Sequence, residues 1–323
     1  MRPLARNVWL LGLVGILLQC AAVPAADNAP AAHPGYKILG CDNGKVTILS
    51  AAGKVLWQAD CPLTAHDLQL LPGGNILMPI SDTTIVELTP EKKVVWKYES
   101  RPRAGYEGKI EVHAFQRLAD GRTMIAESGN ARIIEVDADG KITHEVPLTV
   151  DRPDAHRDTR LVRKLENGNY LVCHEGDGKV REYDPTGKVV WSYTLELGDR
   201  QPAGGHGPEG YGNALYSAVR LENGNTLIGG GNSHRVLEVD PQGKIVWSIE
   251  QNDLPGITLA WVTAVQQLPN GNVIISNCHA GPDQPQLIEV NRDKEVVWQF
   301  RDFQNFGNSL AIAWILDVEG VRR

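Results

Sequence analysis

Two histidines, His66 and His113, each stand eight residues before a glycine, Gly74 and Gly121, that closes the same kind of segment. Imidazoles at one register position can do acid–base work, bind an anion when protonated, or act as nucleophiles. The same position holds Arg160, Tyr216 and Thr263 in later copies of the segment. If the copies are arranged around an axis, these side chains ring one opening. His66, His113 and Arg160 then form the candidate catalytic set. His156, His174, His206, Tyr216 and His279 are candidate ligand-binding residues in the irregular stretches beside it. The most unusual of those stretches is GGHGPEGYGN from Gly204 to Asn213. No helix follows it to offer N-terminal amides, so it is not a phosphate-binding loop. Metal ligation is a further option for such a ring, but register alone brings no three ligands together, and no metal site is assigned.

The elements that must position these residues come from a repeat. AVRLENGNTLI ending at Ile228 recurs as LVRKLENGNYLV ending at Val172 and as VQQLPNGNVII ending at Ile275. The turn glycines Gly74, Gly121, Gly168, Gly224, Gly271 and Gly320 are 47, 47, 56, 47 and 49 residues apart. A second motif follows each turn: VDPQGKIVW ends at Trp247, YDPTGKVVW at Trp191, and weaker copies at Trp57, Trp96 and Trp298, with His144 in the tryptophan place of the third. Each period reads as four short strands joined by tight turns, the signature of a propeller blade. The recurring tryptophan is expected to pack on the neighbouring blade.

The ends give the blade number. The first repeat opens on a second strand, Tyr36 to Leu39, and the chain finishes with a lone first strand, Ser309 to Asp317. Joining them completes a blade and removes both open edges. The expectation is an all-β, six-bladed β-propeller over residues 36–323, with four-stranded blades, closed by the C-terminal strand completing the N-terminal blade. The Asn-Gly and Asp-Pro-x-Gly turns then share one face. The long connections share the other, and seven of the nine histidines go with them. Long variable loops on a rigid scaffold are where function usually sits.

Residues 1–25 read as a signal peptide. Arg2 and Arg6 precede an apolar run from Val8 to Leu18, and small residues lead to cleavage before Ala26. Residues 26–35 form an N-terminal lead. Cys20 could carry a lipid anchor, but Gln19 before it argues against a lipoprotein. The expected location is periplasmic or secreted, with no transmembrane helix in the mature chain. A net charge of −7 without basic blocks argues against nucleic acid as a partner. Cys41, Cys61, Cys173 and Cys278 allow disulfides in an oxidising compartment but do not dictate a pairing.

The Gly-Lys-x-x-Trp repeats resemble pyrroloquinoline-quinone-type propeller repeats over essentially the whole mature chain. Together with HDLQLLPGGN from His66 to Asn75, they also resemble the propeller of bacterial arylsulfotransferases. That second resemblance implies a channel histidine carrying a sulfuryl group between phenolic substrates, with His66 or His113 as nucleophile and Arg160 holding the oxyanion. This chain has no room for the extra N-terminal domain of that family. It also lacks the adjacent cysteines common among quinone enzymes, and the quinone is not expected as cofactor. The reading is a binding or scaffolding propeller that offers its long-loop face and channel mouth to a small molecule or an envelope protein. The alternative is an enzyme of arylsulfotransferase type.

Overall fold

The computed structural model describes residues 35–323. The expected signal peptide, Cys20 and His33 lie outside them. The described residues form 24 strands in six four-stranded antiparallel sheets. Blade 1 holds β1 (Ile38–Asp42), β2 (Lys45–Leu49) and β3 (Val55–Asp60), and blade 2 holds β4 (Gln69–Leu70), β5 (Ile76–Pro79), β6 (Thr84–Leu88) and β7 (Val94–Glu99). Blade 3 runs β8 (Glu111–Arg117), β9 (Thr123–Ser128), β10 (Arg132–Val136) and β11 (Ile142–Pro147). Blade 4 runs β12 (Val162–Lys164), β13 (Tyr170–His174), β14 (Lys179–Tyr183) and β15 (Val189–Thr194). Blade 5 has β16 (Ser217–Arg220), β17 (Thr226–Gly229), β18 (Val236–Val239) and β19 (Ile245–Ile249). Blade 6 has β20 (Trp261–Gln267), β21 (Val273–Cys278), β22 (Leu287–Val290) and β23 (Val296–Phe300), after which β24 (Ala313–Ile315) returns to blade 1.

Burial follows position within the blade. Middle strands such as β9 are covered on both faces by neighbouring blades and are buried at every residue. Outer strands such as β7 hold no fully buried residue, and half-buried Trp96 and Tyr98 alternate with exposed neighbours. Closure is as the sequence implies. β24 pairs antiparallel with β1 in the register Ile38↔Ile315, Leu39↔Trp314 and Gly40↔Ala313.

Two repeated side-chain devices join the blades. Indole N–H groups donate to a turn carbonyl of the next blade: Trp57 to Pro90, Trp96 to Ala138, Trp191 to Pro241 and Trp247 to Arg292, at 2.9–3.1 Å. Trp298 instead meets Tyr36 edge-on, with ring centroids 4.9 Å apart. The second device is a glutamate on each third strand except β2, where Ile48 stands. In four blades it accepts from the asparagine after the turn glycine: Asn75 to Glu87, Asn169 to Glu182, Asn225 to Glu238 and Asn272 to Glu289. The next blade supplies its counter-charge or hydroxyl, as with Arg117 on Glu87, Lys164 and Tyr170 on Glu135, Arg220 on Glu182 and Tyr36 on Glu289. Buried carboxylates need such partners.

The tight turns differ in one detail from a two-residue Asn-Gly hairpin. Gly224 N–H donates to Leu221 C=O, and only Gly224, at φ 86°, enters the left-handed region. The loop is a type I turn followed by a left-handed glycine. The Asp-Pro-x-Gly turn has the same frame, with Gly243 N–H on Asp240 C=O and the Asp240 carboxylate accepting from Gln242 and Lys244. The four cysteines in the described residues are buried free thiols.

Candidate functional site

The register position read from the sequence does form a ring. Arg160 and Tyr216 sit just before β12 and β16, His66 stands three residues before β4, and His113 and Thr263 lie within β8 and β20. The pairing of β8 with β9 shifts between Val112 and Ala114, and that of β20 with β21 between Val262 and Val265. His113 and Thr263 therefore lie in β-bulges, which re-aim a side chain. In the closing blade the position, eight residues before Gly320, is filled by apolar Ile312.

His66 Nδ1 and the Tyr216 hydroxyl are 2.8 Å apart, and the His66 and His113 rings meet edge-on at 4.7 Å. Arg160 Nη1 lies 3.2 and 3.3 Å from the two ring nitrogens of His113, so the guanidinium rests against that imidazole. Arg160 Nε also pairs with the buried Glu175 carboxylate, whose other oxygen accepts from Arg157 Nε at 3.0 Å. Two guanidiniums share one carboxylate, which leaves this wall with a positive charge. Beneath the ring, Arg163 forks onto Asp67 at 2.6 and 2.9 Å, bridging blades 4 and 2 across the channel. Burial opposes charge on Asp67, and Arg163 works against that. The fork floors the mouth.

Loops from three blades complete the walls. His156, from the connection after β11, places Nδ1 2.7 Å from Glu111 Oε2, and His113 Nε2 lies 2.7 Å from the same oxygen. Lys109 Nζ holds Glu111 Oε1 at 2.6 Å. The ligand atoms of Glu111, His113 and His156 all lie within 4.8 Å of one another. Register could not bring these three together, and the loop does. On the far side, His206 packs on Trp261 at 4.4 Å and on His279 at 5.3 Å between centroids. His206 comes from the glycine-rich loop, which is held by a bridge between Ala203 and Tyr211.

These residues enclose two cavities that share Thr64, His66 and His156. One, of about 290 Å³, lies among Arg160, Tyr216, Trp261, His206 and His279. The other, of about 200 Å³, opens beside Glu111, His113 and Lys109. Burial, then the charge of Arg160, pushes the His66 and His113 rings toward the neutral form. Burial also works against charge on Glu111, but hydrogen bonds from His113, His156 and Lys109 outweigh it and hold the carboxyl far below the usual range. Tyr216 is held well above the usual phenol range by burial.

His174 stands apart from this group. Its Nδ1 is 2.7 Å from Asp158 C=O and its Nε2 is 2.9 Å from the Tyr183 hydroxyl, fully buried inside blade 4 and away from both cavities. Glu111, Glu175 and Trp261 line the mouth without having been singled out in the sequence. The one signal for Glu111 was its place two residues before His113. A further cavity, of about 640 Å³, is on the tight-turn face, between Arg163, Lys164, Arg220 and the C-terminal Arg322 and Arg323.

The family model for outer membrane protein assembly factor BamB, built of PQQ-like repeats, matches residues 42–299. The chain belongs to this family. None of the curated proteins compared with it matches. Among solved structures, a Bacteroides caccae protein of unknown function is similar at 23% identity and TM-score 0.70, over 85% of this chain and 97% of that one. A streptogramin B lyase is similar at 14% identity and TM-score 0.54, over 84% of each chain. A virginiamycin B lyase from Staphylococcus aureus, solved with quinupristin, is similar at 11% identity and TM-score 0.54, over 82% of this chain and 83% of that one. These likenesses show the shared propeller of this BamB-family chain. They add nothing to the resemblance to arylsulfotransferases. No helix among the described residues is long and apolar enough to cross a membrane.

Proposed function

We propose that this BamB-family propeller is a binding protein of the cell envelope, exported behind its leader, that takes a small aromatic anion into the channel mouth. The observation that carries this reading is the 290 Å³ cavity with a π wall of Trp261, His206 and His279 facing Arg160. Concave sites with an aromatic lining and a few fixed polar groups suit small ligands better than protein surfaces. The shared Glu175 leaves the guanidinium pair one positive charge in excess, which favours a carboxylate or sulfate. Titration calorimetry of the purified protein with 4-nitrobenzoate and 4-nitrophenyl sulfate tests it. Saturable binding weakened by His206→Ala supports the reading, and no heat with either probe contradicts it.

A second reading, sulfuryl transfer, has one specific support. His66 is held neutral, as a nucleophilic imidazole must be, in the same cavity as Arg160. Histidine-dependent transfer from 4-nitrophenyl sulfate to a phenol would select it, and a blank assay would leave binding as the function.

A further inference from the structure

We propose that Glu111, His113 and His156 form a metal-binding site at the channel mouth, and that the ion their chemistry fits is zinc or a neighbouring first-row divalent cation. This deepens the reading of the mouth as a binding site but uses a different wall from the aromatic one.

The convergence of one ligand atom each from Glu111, His156 and His113, all within 4.8 Å of one another, carries the argument, and the His113 ring is fixed in place for it. Its Nδ1 stands 2.8 Å from the Thr159 carbonyl oxygen. A carbonyl only accepts, so Nδ1 bears the proton. The other ring nitrogen, Nε2, faces Glu111 Oε2 at 2.7 Å, where it donates when protonated and can ligate a metal when not. An ionised carboxylate also only accepts. The contact is closed by one of two cations, a proton on Nε2 or a metal ion that takes its place. A metal ion satisfies both acceptors and is bonded by neutral imidazole.

The surroundings match what metal-ligating histidines use. The far nitrogen of the ring donates to a backbone carbonyl, fixing its tautomer and orientation. Lys109 occupies Glu111 Oε1, so the carboxylate presents the single oxygen Oε2. His156 Nδ1 approaches that oxygen from the loop side. Two imidazoles and one carboxylate select zinc or its neighbours, whereas magnesium and calcium prefer oxygen ligands throughout. Ligand atoms on one tetrahedral zinc lie about 3.3 Å apart for bonds of about 2.0–2.1 Å. Both nitrogens must therefore draw back from Glu111 by roughly half an ångström, and His156, 57% exposed on a loop, is free to do so. The 200 Å³ cavity on the open side leaves room for water or a ligand donor.

The test uses the untagged protein, stripped with chelator and titrated with zinc chloride by calorimetry. Cobalt(II) absorption reports the geometry, and magnesium chloride is the comparison. Wild type should bind one zinc ion per chain, with visible cobalt bands of four- or five-coordinate intensity and no matching magnesium heat. His156→Ala and Glu111→Gln should each weaken zinc by at least about tenfold. The exposed site of His156→Ala should leave the melting curve of the stripped protein unchanged. His206→Ala, on the aromatic wall, should bind zinc as wild type does. Failure of wild type to take up zinc, equal binding of magnesium, or wild-type zinc affinity in His156→Ala would overturn the proposal. Loss of aryl-anion binding alone would leave it standing and remove the proposed function instead.

Discussion

The indole nitrogen of Trp314 donates to the carbonyl oxygen of Leu68 across 2.8 Å, tying the last strand of the chain to the innermost segment of blade 2. Trp314 is buried and Arg163 lies over its ring, with the guanidinium 5.6 Å from the centroid. The closing strand thus does more than complete the hydrogen bonds of β1. It also packs the axis of the propeller.

Trp314→Ala should therefore cost about 4 kcal/mol, in the range for truncating a buried tryptophan. Chemical denaturation followed by circular dichroism measures it. Deleting residues 309–323 should go further, abolishing a cooperative transition or causing aggregation through the exposed edges of blade 1. A deletion variant that melts like the full chain would refute closure as the source of cooperativity.

The inter-blade carboxylates make a second prediction. Glu135 is buried and meets Lys164, Arg122 and the Tyr170 hydroxyl. Glu135→Ala takes that partner from Lys164 and the Tyr170 hydroxyl, while Arg122 keeps Asp120, and should cost about 3 kcal/mol, as removal of one partner from a buried pair does. Ile48, the apolar occupant of the same place in blade 1, shows that the fold can also be satisfied without the charge. If Glu135→Ala unfolds at the wild-type denaturant midpoint, the clamp is decorative.

Acid sensitivity should come in part from His174. Burial lowers its pKa to about 4 from an ordinary value of 6.5. The unfolded chain then binds the proton more readily than the folded one, so the neutral ring stabilises the fold above pH 6.5. That stability is lost progressively as pH falls from about 6.5 to about 4, on the order of 3 kcal/mol in total. His174→Gln should lower stability at neutral pH but flatten its fall between pH 6.5 and pH 4. An unchanged slope would exclude His174 as the acid-labile group.

Much of this arrangement was legible before any coordinates. The Asn-Gly and Gly-Lys-x-x-Trp copies recur because each blade must repeat one meander, and the orphan strands at the two ends left only one way to close. The ring of His66, His113, Arg160 and Tyr216 followed from register, because equivalent positions in equivalent blades face one axis. His174 was not legible: β13 is buried on both faces, so its place along the strand could not say whether it faced the mouth or the inside of the blade. Nor was the Glu111, His113 and His156 group. It depends on a bulge in β8 and on the path of a loop, which no period encodes.

Cysteine reactivity offers a simpler check. Burial raises the pKa of Cys173 and Cys278 far above the thiol range, so neither supplies thiolate at neutral pH. Both should resist iodoacetamide in the native protein and react once it is unfolded. Rapid native alkylation at either site, read by mass spectrometry, would contradict the packing described for blades 4 and 6.

The most direct measurement for the binding reading is a crystal structure of the protein soaked with 4-nitrophenyl sulfate. Density is expected on the long-loop face, with the aryl ring on Trp261 and His206 and the anionic group toward Arg160. Ligand found only in the 640 Å³ cavity among Arg163, Arg220 and Arg322, or a mouth holding no ligand at saturating concentration, would contradict the assignment of function to this face.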